Sequence, residues 1–359
     1  MDVVPVILAG GIGERFWPLS RSSLPKQLLK IISNRTMLEE TLIRVNTICS
    51  PGIRPLVITS EKLAGKLNSV LSSYRYDIIK EPVGKNTAPA IALAASGIQA
   101  EYGDSVMVIL SADHDIQPVD SFVETIKFAV QQTDQSDTLT VFGIKPSRAE
   151  TGYGYIQAGD KIETRNGISV YKVKRFVEKP DQQKAENFLK SGDYLWNSGI
   201  FLWKTSTILQ EFNQYMPDLA KLLKTVEKNG FSQDIIDWFY NSCEKQSIDY
   251  GIMEHSKRVN VVEGSFKWDD IGSWESVGRI KGKNDFGTTV LGESIFERDC
   301  SQSILVNQSS RALAVIGIEN AVVVTTNDAV LVIDRSKLPE YKNFITEMKK
   351  ESSFSSDLF

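Results

Sequence analysis

The chain has 359 residues, 42% of them hydrophobic and 24% charged, with a net charge of −4. That length accommodates a large domain beside a smaller one with a sizeable core, in an ordinary globular composition. The slight negative balance excludes general attraction to nucleic acid or anionic membrane, no apolar run approaches the ~20 residues of a membrane span, and two histidines exclude a histidine-rich zinc site. Val3-Val4-Pro5-Val6-Ile7-Leu8 is an apolar, β-branched run that stops at Ala9-Gly10-Gly11-Ile12-Gly13-Glu14-Arg15. This reads as a buried parallel strand opening into a backbone-rich loop. Glycines let the main chain approach a ligand, and successive N–H groups in such a loop form an anion-binding concavity. Arg15 and Lys26 add fixed positive charge a short way on. The stretch suits a polyphosphate; a tight structural turn is the plainer alternative. It is neither of the two common nucleotide loops: G-x-G-x-x-G fits Gly11 and Gly13 but fails at Phe16, and G-x-x-x-x-G-K-[ST] is absent.

From residue 1 to about 145, strands expected at 3–8, 55–59, 76–80, 105–110 and 138–143 alternate with helices at 36–48, 60–72, 87–101 and 119–132. Thr36-Met37-Leu38-Glu39 has the spacing of a capping box at the start of the first helix. Such alternation implies right-handed crossovers and an α/β, Rossmann-like, mostly parallel sheet, with ligands beyond the carboxyl ends of its strands. From about 146 to 285, hairpin-like strands (153–158, 170–177, 198–203) mix with helices (181–190, 205–215, 217–228, 231–240). This region extends the same domain. Beyond Asp285, short strands at 288–291, 303–306, 312–316, 321–325 and 329–333 recur at roughly regular intervals, as in a sheet stack, a β-helix or a small sandwich. A closing helix is expected at 338–350 and a frayed tail at 352–359. The expected organisation is a catalytic domain over 1–285 and a small β-rich, β-helix-like domain over 286–359. The latter carries no phosphate loop or carboxylate pair and is expected to serve stability or subunit contacts, with a homodimer as the default assembly.

Four further segments can carry chemistry. Ser111-Ala112-Asp113-His114-Asp115 follows a buried strand, so Asp113 stands at the sheet's carboxyl edge, where it can hold Mg²⁺ or simply cap a turn. Trp268-Asp269-Asp270-Ile271-Gly272 supplies another carboxylate pair, or N-caps for the helix that follows. Glu81-Pro82-Val83-Gly84-Lys85-Asn86-Thr87-Ala88-Pro89-Ala90 joins a strand end to a helix start, with Asn86 or Thr87 as cap. Thr151-Gly152-Tyr153-Gly154, Phe176-Val177-Glu178-Lys179-Pro180 and Leu195-Trp196-Asn197-Ser198-Gly199 each read alone as a strand entry, an ion pair or a bulge. The chain has no Ser/His/Asp or Cys/His arrangement that would suggest a nucleophilic mechanism.

Taken together, G-G-I-G-E-R-F-W-P-L-S with P-K-Q, E-P-V-G-K-N-T-A-P-A, T-G-Y-G-Y-I, F-V-E-K-P, W-N-S-G-I-F and S-I-D-Y-G-I-M-E resemble, in this order, the sugar-1-phosphate nucleotidyltransferases, and most their mannose-1-phosphate guanylyltransferase branch. The resemblance covers about residues 3–335. It implies transfer of GMP from GTP to mannose 1-phosphate, giving GDP-mannose and pyrophosphate, with Mg²⁺ on Asp113 and Asp270. It implies that Arg15 and Lys26 are catalytic cations beside Gly10 and Gly11, and that Glu81, Gly84 and Asn86 contact the nucleotide. Gly152, Glu178 and Asn197 then contact the sugar, and Lys179 grips its phosphate. Asp249 borders the sugar side without an assigned role, and His114 is a spectator. The chain departs from the family pattern at Lys85 in place of arginine, at Ser111 in place of proline, and at Asp269, which is left out of the metal pair. A nucleotidyltransferase for another sugar 1-phosphate and a catalytically silent GDP-mannose-binding regulatory paralogue remain as alternatives. Three widely spaced cysteines and an N-terminus without a basic–apolar leader suit a cytoplasmic protein. The length leaves no room for the isomerase domain fused to longer relatives, so a single activity is expected.

Overall fold

The computed structural model describes residues 1–11, 14–351 and 353–359. Gly13, singled out in the glycine-rich segment, lies outside these residues, as do Ile12 and Ser352. Contacts divide the chain into two compact units interleaved in sequence: residues 1–10, 41–112 and 116–268 form the first, and residues 11–40, 113–115 and 269–359 the second.

The first unit carries, in chain order, β1 (Val3–Leu8), most of α1 (Met37–Asn46), β2 (Leu56–Ser60), α2 (Glu61–Val70), β3 (Asp77–Glu81), α3 (Thr87–Tyr102) and β4 (Val106–Ser111). After the short β5 (Asp115–Gln117) come α4 (Val119–Asp134), β6 (Leu139–Ile144), β7 (Tyr155–Arg165), β8 (Ile168–Val177), α5 (Gln182–Ser191) and β9 (Tyr194–Lys204). Then follow α6 (Thr205–Tyr215), α7 (Pro217–Asn229), α8 (Gln233–Ser242), β10 (Val259–Glu263) and the short β11 (Lys267–Asp269). One nine-stranded sheet runs β3-β2-β1-β4-β9-β6-β10-β8-β7. The fold class is therefore α/β. β3, β2, β1 and β4 are mutually parallel, as helical crossovers require, and β9 enters antiparallel between β4 and β6. β10 has no counterpart among the expected strands. Its five residues, Val-Asn-Val-Val-Glu, are too few to show a period, and only the tertiary ladder to β6 and β8 makes them a strand.

Local chemistry sets the element ends. The Ser60 hydroxyl accepts from Leu63 N at the start of α2, and Asp181 accepts from Lys184 N at the start of α5. α3 is apolar almost all round because it lies between the sheet and α6 and α7; its buried Ala88, Ala92, Leu93 and Ala95 belong to the unit's main core.

The second unit begins with segment 11–40, mostly turns. It contains 3₁₀ turns at Glu14–Phe16 and Lys26–Leu28 and the first turn of α1. The capping box is present: Thr36 N donates to Glu39 Oε2 (2.7 Å) and Glu39 N to Thr36 Oγ1 (3.2 Å). The remainder is α9 (Trp274–Ile280), β12 (Thr289–Gly292), β13 (Ile295–Arg298), β14 (Ile304–Asn307), β15 (Leu313–Ile316), β16 (Ala321–Thr325), β17 (Val330–Asp334) and α10 (Tyr341–Met348). β12, β14 and β16 stack in parallel, β13 and β15 make a second parallel ladder, and β17 closes antiparallel on β16. Coil upon coil, this is the β-helix arrangement. The closing helix is shorter than expected: a 3₁₀ stretch at Arg335–Glu340, containing Pro339, precedes α10. Nor is the tail frayed over its described residues. Trp17 Nε1 donates to Leu358 O (2.7 Å), and the Phe359 ring stacks on Trp17. Among the described residues no helix is long and apolar enough to cross a membrane.

Candidate functional site

The candidate residues divide between the units. In the first unit, β1 and β4 leave the sheet in register, Leu8 level with Ser111. Past β1, Ala9 N donates to Ile58 O and Ala9 O accepts from Thr59 Oγ1, which fixes the main chain entering Gly10. A Cβ on Gly10 would stand 2.6 Å from Glu81 Oε2, so any larger residue here would have to displace that carboxylate. Glu81 is buried, and burial raises its carboxyl pKa while the Tyr240 side chain beside it pulls the other way. Beyond Glu81 the loop opens outward: Gly84 is exposed, with nothing within 4 Å of a Cβ built on it. Asn86 holds φ at 68° and caps α3 through Oδ1, which accepts from Thr87 N. Lys85 donates to Cys243 O (2.9 Å). The loop is stitched further by Gln246 N on Lys85 O, Ala88 N on Gln246 O and Ile248 N on Thr87 Oγ1.

That stitch leads to a second cluster in the same unit. Asn197 is pinned at both ends of its amide: Nδ2 donates to Asp249 Oδ1 (2.9 Å), and Oδ1 accepts from Gly199 N (3.0 Å). Glu178 meets Lys179 Nζ through Oε1 (2.7 Å), which holds the Lys179 ammonium pKa above its usual value. The other oxygen, Oε2, is buried and has no hydrogen-bond donor among the described residues. Gly154, whose built Cβ would collide with Glu178 Oε2 and lie 3.2 Å from Asn197 Cβ, lets the β7 entry close on the pair. Asp249 is pushed up to about 6 by burial and then by the Glu178 charge, opposed by the Asn197 hydrogen bond. The structure thus brings Glu178, Lys179, Asn197 and Asp249 together. Gly152 is exposed, its N–H donating to Glu150 Oε1 (3.2 Å).

In the second unit, Lys26 is the junction. Its buried ammonium pairs with Asp113 Oδ2 (2.8 Å) and donates to Asp270 O (2.7 Å). The two expected metal-binding residues are therefore joined by one cation. Asp270 Oδ1 accepts from Gly272 N (3.1 Å), and a Cβ on Gly272 would press within 2.6 Å of Asp270 Oδ2. Asp269 is occupied structurally, by Ile271 N (2.9 Å) and Arg279 Nε (2.8 Å). Gly11 O accepts from Gln27 Nε2 (2.7 Å), and Arg15 is exposed on its 3₁₀ turn.

Three of the positive-φ residues that are not glycine fall here: Asn86 (68°), Lys179 (45°) and Ile271 (46°), next to Asp270. For a β-branched residue that is a costly conformation, which persists only where the surroundings over-determine it. Reading residues singly missed Gly154, whose closely spaced partner Gly152 was the available signal, and Tyr240, an apolar-helix tyrosine with no sequence mark at all.

A family model described as "Nucleotidyl transferase" matches residues 4–284. A protein of Klebsiella pneumoniae named mannose-1-phosphate guanylyltransferase is 37% identical over 355 residues, which cover 97% of this chain and 74% of that one. An Escherichia coli protein of the same name is 37% identical over 360 residues, with 97% and 74% covered. Among solved structures, one described as mannose-1-phosphate geranyltransferase from Thermus thermophilus superposes with a TM-score of 0.88 at 29% identity, covering 97% of this chain and 100% of that one.

Proposed function

The chain belongs to the nucleotidyl transferase family, and from that membership we propose that it transfers GMP from GTP to mannose 1-phosphate, releasing pyrophosphate and giving GDP-mannose. The near full-length likeness to proteins named mannose-1-phosphate guanylyltransferase supports the choice of sugar and base. The observation that carries the sugar side is the buried Glu178 Oε2, which has no donor among the described residues, beside an amide pinned at both ends. Buried carboxylate oxygens are rarely left without a donor, and a sugar hydroxyl is the donor this cluster fits.

An oxygen of the mannose 1-phosphate, already ionised at neutral pH, forms the new bond to the α-phosphorus of GTP. The bond to the bridging oxygen breaks and the electron pair leaves with pyrophosphate. No base and no covalent enzyme intermediate are needed. Lys179 holds the sugar phosphate, Glu178 and Asn197 hold sugar hydroxyls with Gly152 contributing main-chain contact, and Glu81, Gly84 and Asn86 hold base and ribose. Gly10 and Gly11 let the main chain approach the phosphates, and Arg15 and Lys26 neutralise them; removing one such charge costs roughly 10²–10³-fold in turnover. The donor set of Asp113 and Asp270 fits Mg²⁺, which takes one or two carboxylates and completes its shell with water and phosphate oxygens. When bound, Mg²⁺ would supply further charge neutralisation on the triphosphate. Lys26 would hold the Asp113 carboxylate in place. The three free thiols support a cytoplasmic setting, and a homodimer is the default assembly.

Pyrophosphate release from GTP and mannose 1-phosphate, run beside a panel of other sugar phosphates and nucleotides, tests the reading. Release with this pair above all others is expected. Binding of GDP-mannose with no release from any pair would mean a regulatory paralogue instead.

A further inference from the structure

Trp17 stands two residues after Arg15 and is gripped three ways by residues 341–359. The Tyr341 hydroxyl donates to Trp17 O (2.6 Å, buried), and Trp17 Nε1 donates to Leu358 O (2.7 Å). The Phe359 ring lies over the indole, centroids 6.2 Å apart and planes 18° from parallel, with Lys349 Nζ 5.7 Å from the centre of the Phe359 ring. The grip continues along the same segment. Ser22 N donates to Phe359 O (3.0 Å), Arg21 Nη1 to Asp357 O (3.3 Å), and Arg21 also pairs with Asp328. On the other side of Trp17, the Arg15 turn is closed by short-range bonds, Phe16 N to Ser20 Oγ and Leu19 N and Ser20 N to Phe16 O.

A 3₁₀ turn of three residues has no stability of its own, because ordering each residue costs ~1–2 kcal/mol against one strained hydrogen bond. The turn that presents Arg15 therefore takes its fixity from what holds Phe16 and Trp17. Phe16 is held by Trp274, ring centroids 5.0 Å apart. Trp17 is held by the C-terminal segment through the Tyr341 hydroxyl on its main chain, the Leu358 carbonyl on its indole N–H and the Phe359 ring on its face.

We propose that residues 357–359 latch Trp17 and so position Arg15, making Phe359 a positioning residue for nucleotide binding that acts through Trp17. The proposal rests on the reading of Arg15 as a triphosphate contact. Binding of nucleotide by a pre-ordered arginine avoids the entropy of ordering it, so a loosened latch weakens GTP before it affects the sugar phosphate.

The test uses the full chain with Phe359→Ala, Phe359→Trp and Arg15→Ala. Hydrogen exchange of amides 14–22, thermal melting, and separate KM and kcat values for GTP and mannose 1-phosphate are measured for each. Phe359→Ala is expected to speed exchange over 14–22 alone and to raise the GTP KM roughly three- to tenfold, the range of one lost aromatic pair. The mannose 1-phosphate KM stays within error and Phe359→Trp restores both readouts. Unchanged exchange over 14–22, or faster exchange with an unchanged GTP KM while Arg15→Ala raises it, overturns the latch. A uniform fall in all activities that follows melting also overturns it, since that is a structural role only. Arg15→Ala alone with an unchanged GTP KM refutes the underlying assignment of Arg15 instead, and the exchange data still decide the latch.

Discussion

Replacing Asp249 by asparagine should stabilise the protein at neutral pH while harming its sugar side. The Asp249 carboxyl is pushed from its ordinary 3.8 to about 6 by burial first and the Glu178 charge second. A folded state that holds the proton more tightly than the unfolded chain gains stability at low pH, and the gain is lost progressively as pH rises from 3.8 to about 6. A rise of that size corresponds to ~3 kcal/mol; Asp249 keeps some solvent contact, so ~1–2 kcal/mol is the defensible figure. Asparagine retains an oxygen to accept from Asn197 Nδ2 but carries no charge beside Glu178. Urea unfolding of wild type and Asp249→Asn is therefore compared at about pH 3.5, below the unfolded-chain value, and about pH 7.5. The variant's advantage should be small at the lower value and grow by ~1–2 kcal/mol at the higher one. Glu178 and Lys179 face the same group, Glu254 lies beside Glu178, and all three are present in both proteins, so the difference between the curves reports the change at residue 249. An advantage that is the same at both pH values, or reversed, refutes the reasoning.

Excess chelator should abolish turnover, and Asp113→Asn or Asp270→Asn should lower kcat with melting little changed; full activity in chelator removes the metal from the scheme, and melted variants make both residues structural. Glu178→Ala should raise the mannose 1-phosphate KM far more than it weakens GTP in a binding titration, whereas equal losses place Glu178 elsewhere. Cutting the chain after Asp285 should strip segment 11–40 of its packing and remove GTP binding. A soluble fragment with wild-type GTP affinity would show that the segment stands without the β-rich strands.

The features legible in the sequence were those written within a few residues. The Val3–Leu8 run reads as a strand because it is apolar, β-branched and ends in glycines, and Thr36 with Glu39 reads as a cap because both partners lie within one turn. Alternation of strand and helix was enough to place β1 to β4 in one parallel array. What stayed illegible depends on partners far along the chain. β10 and β13 have five and four residues, too few for a period, and exist through their ladders. The Lys26 side chain reaches Asp113 and the Asp270 main chain, and Asn197 reaches Asp249; no spacing rule foretells either. The tail looked unanchored because Ser353–Phe359 is polar apart from three residues, and the anchor is a tryptophan near the other end of the chain.

The β-rich strands contain none of the candidate site residues, yet they pack in one core with the segment that carries Arg15 and Lys26. Segment 11–40 has little regular structure, so its own hydrogen bonds cannot offset ~1–2 kcal/mol of backbone entropy at each ordered residue. Its apolar side chains Phe16, Trp17, Leu29, Ile31 and Met37 are buried in one cluster with Trp274, Val306, Val324 and Tyr341. Each such side chain contributes ~1.5–3 kcal/mol on burial, which for five of them is of the order of a whole domain's net stability. The β-helix coils and α10 supply much of the other half of that cluster. On the proposed reading, a segment that presents Arg15 and Lys26 to a polyanion cannot fold around its own charges, and the strands beyond Asp285 give it an apolar surface to fold against.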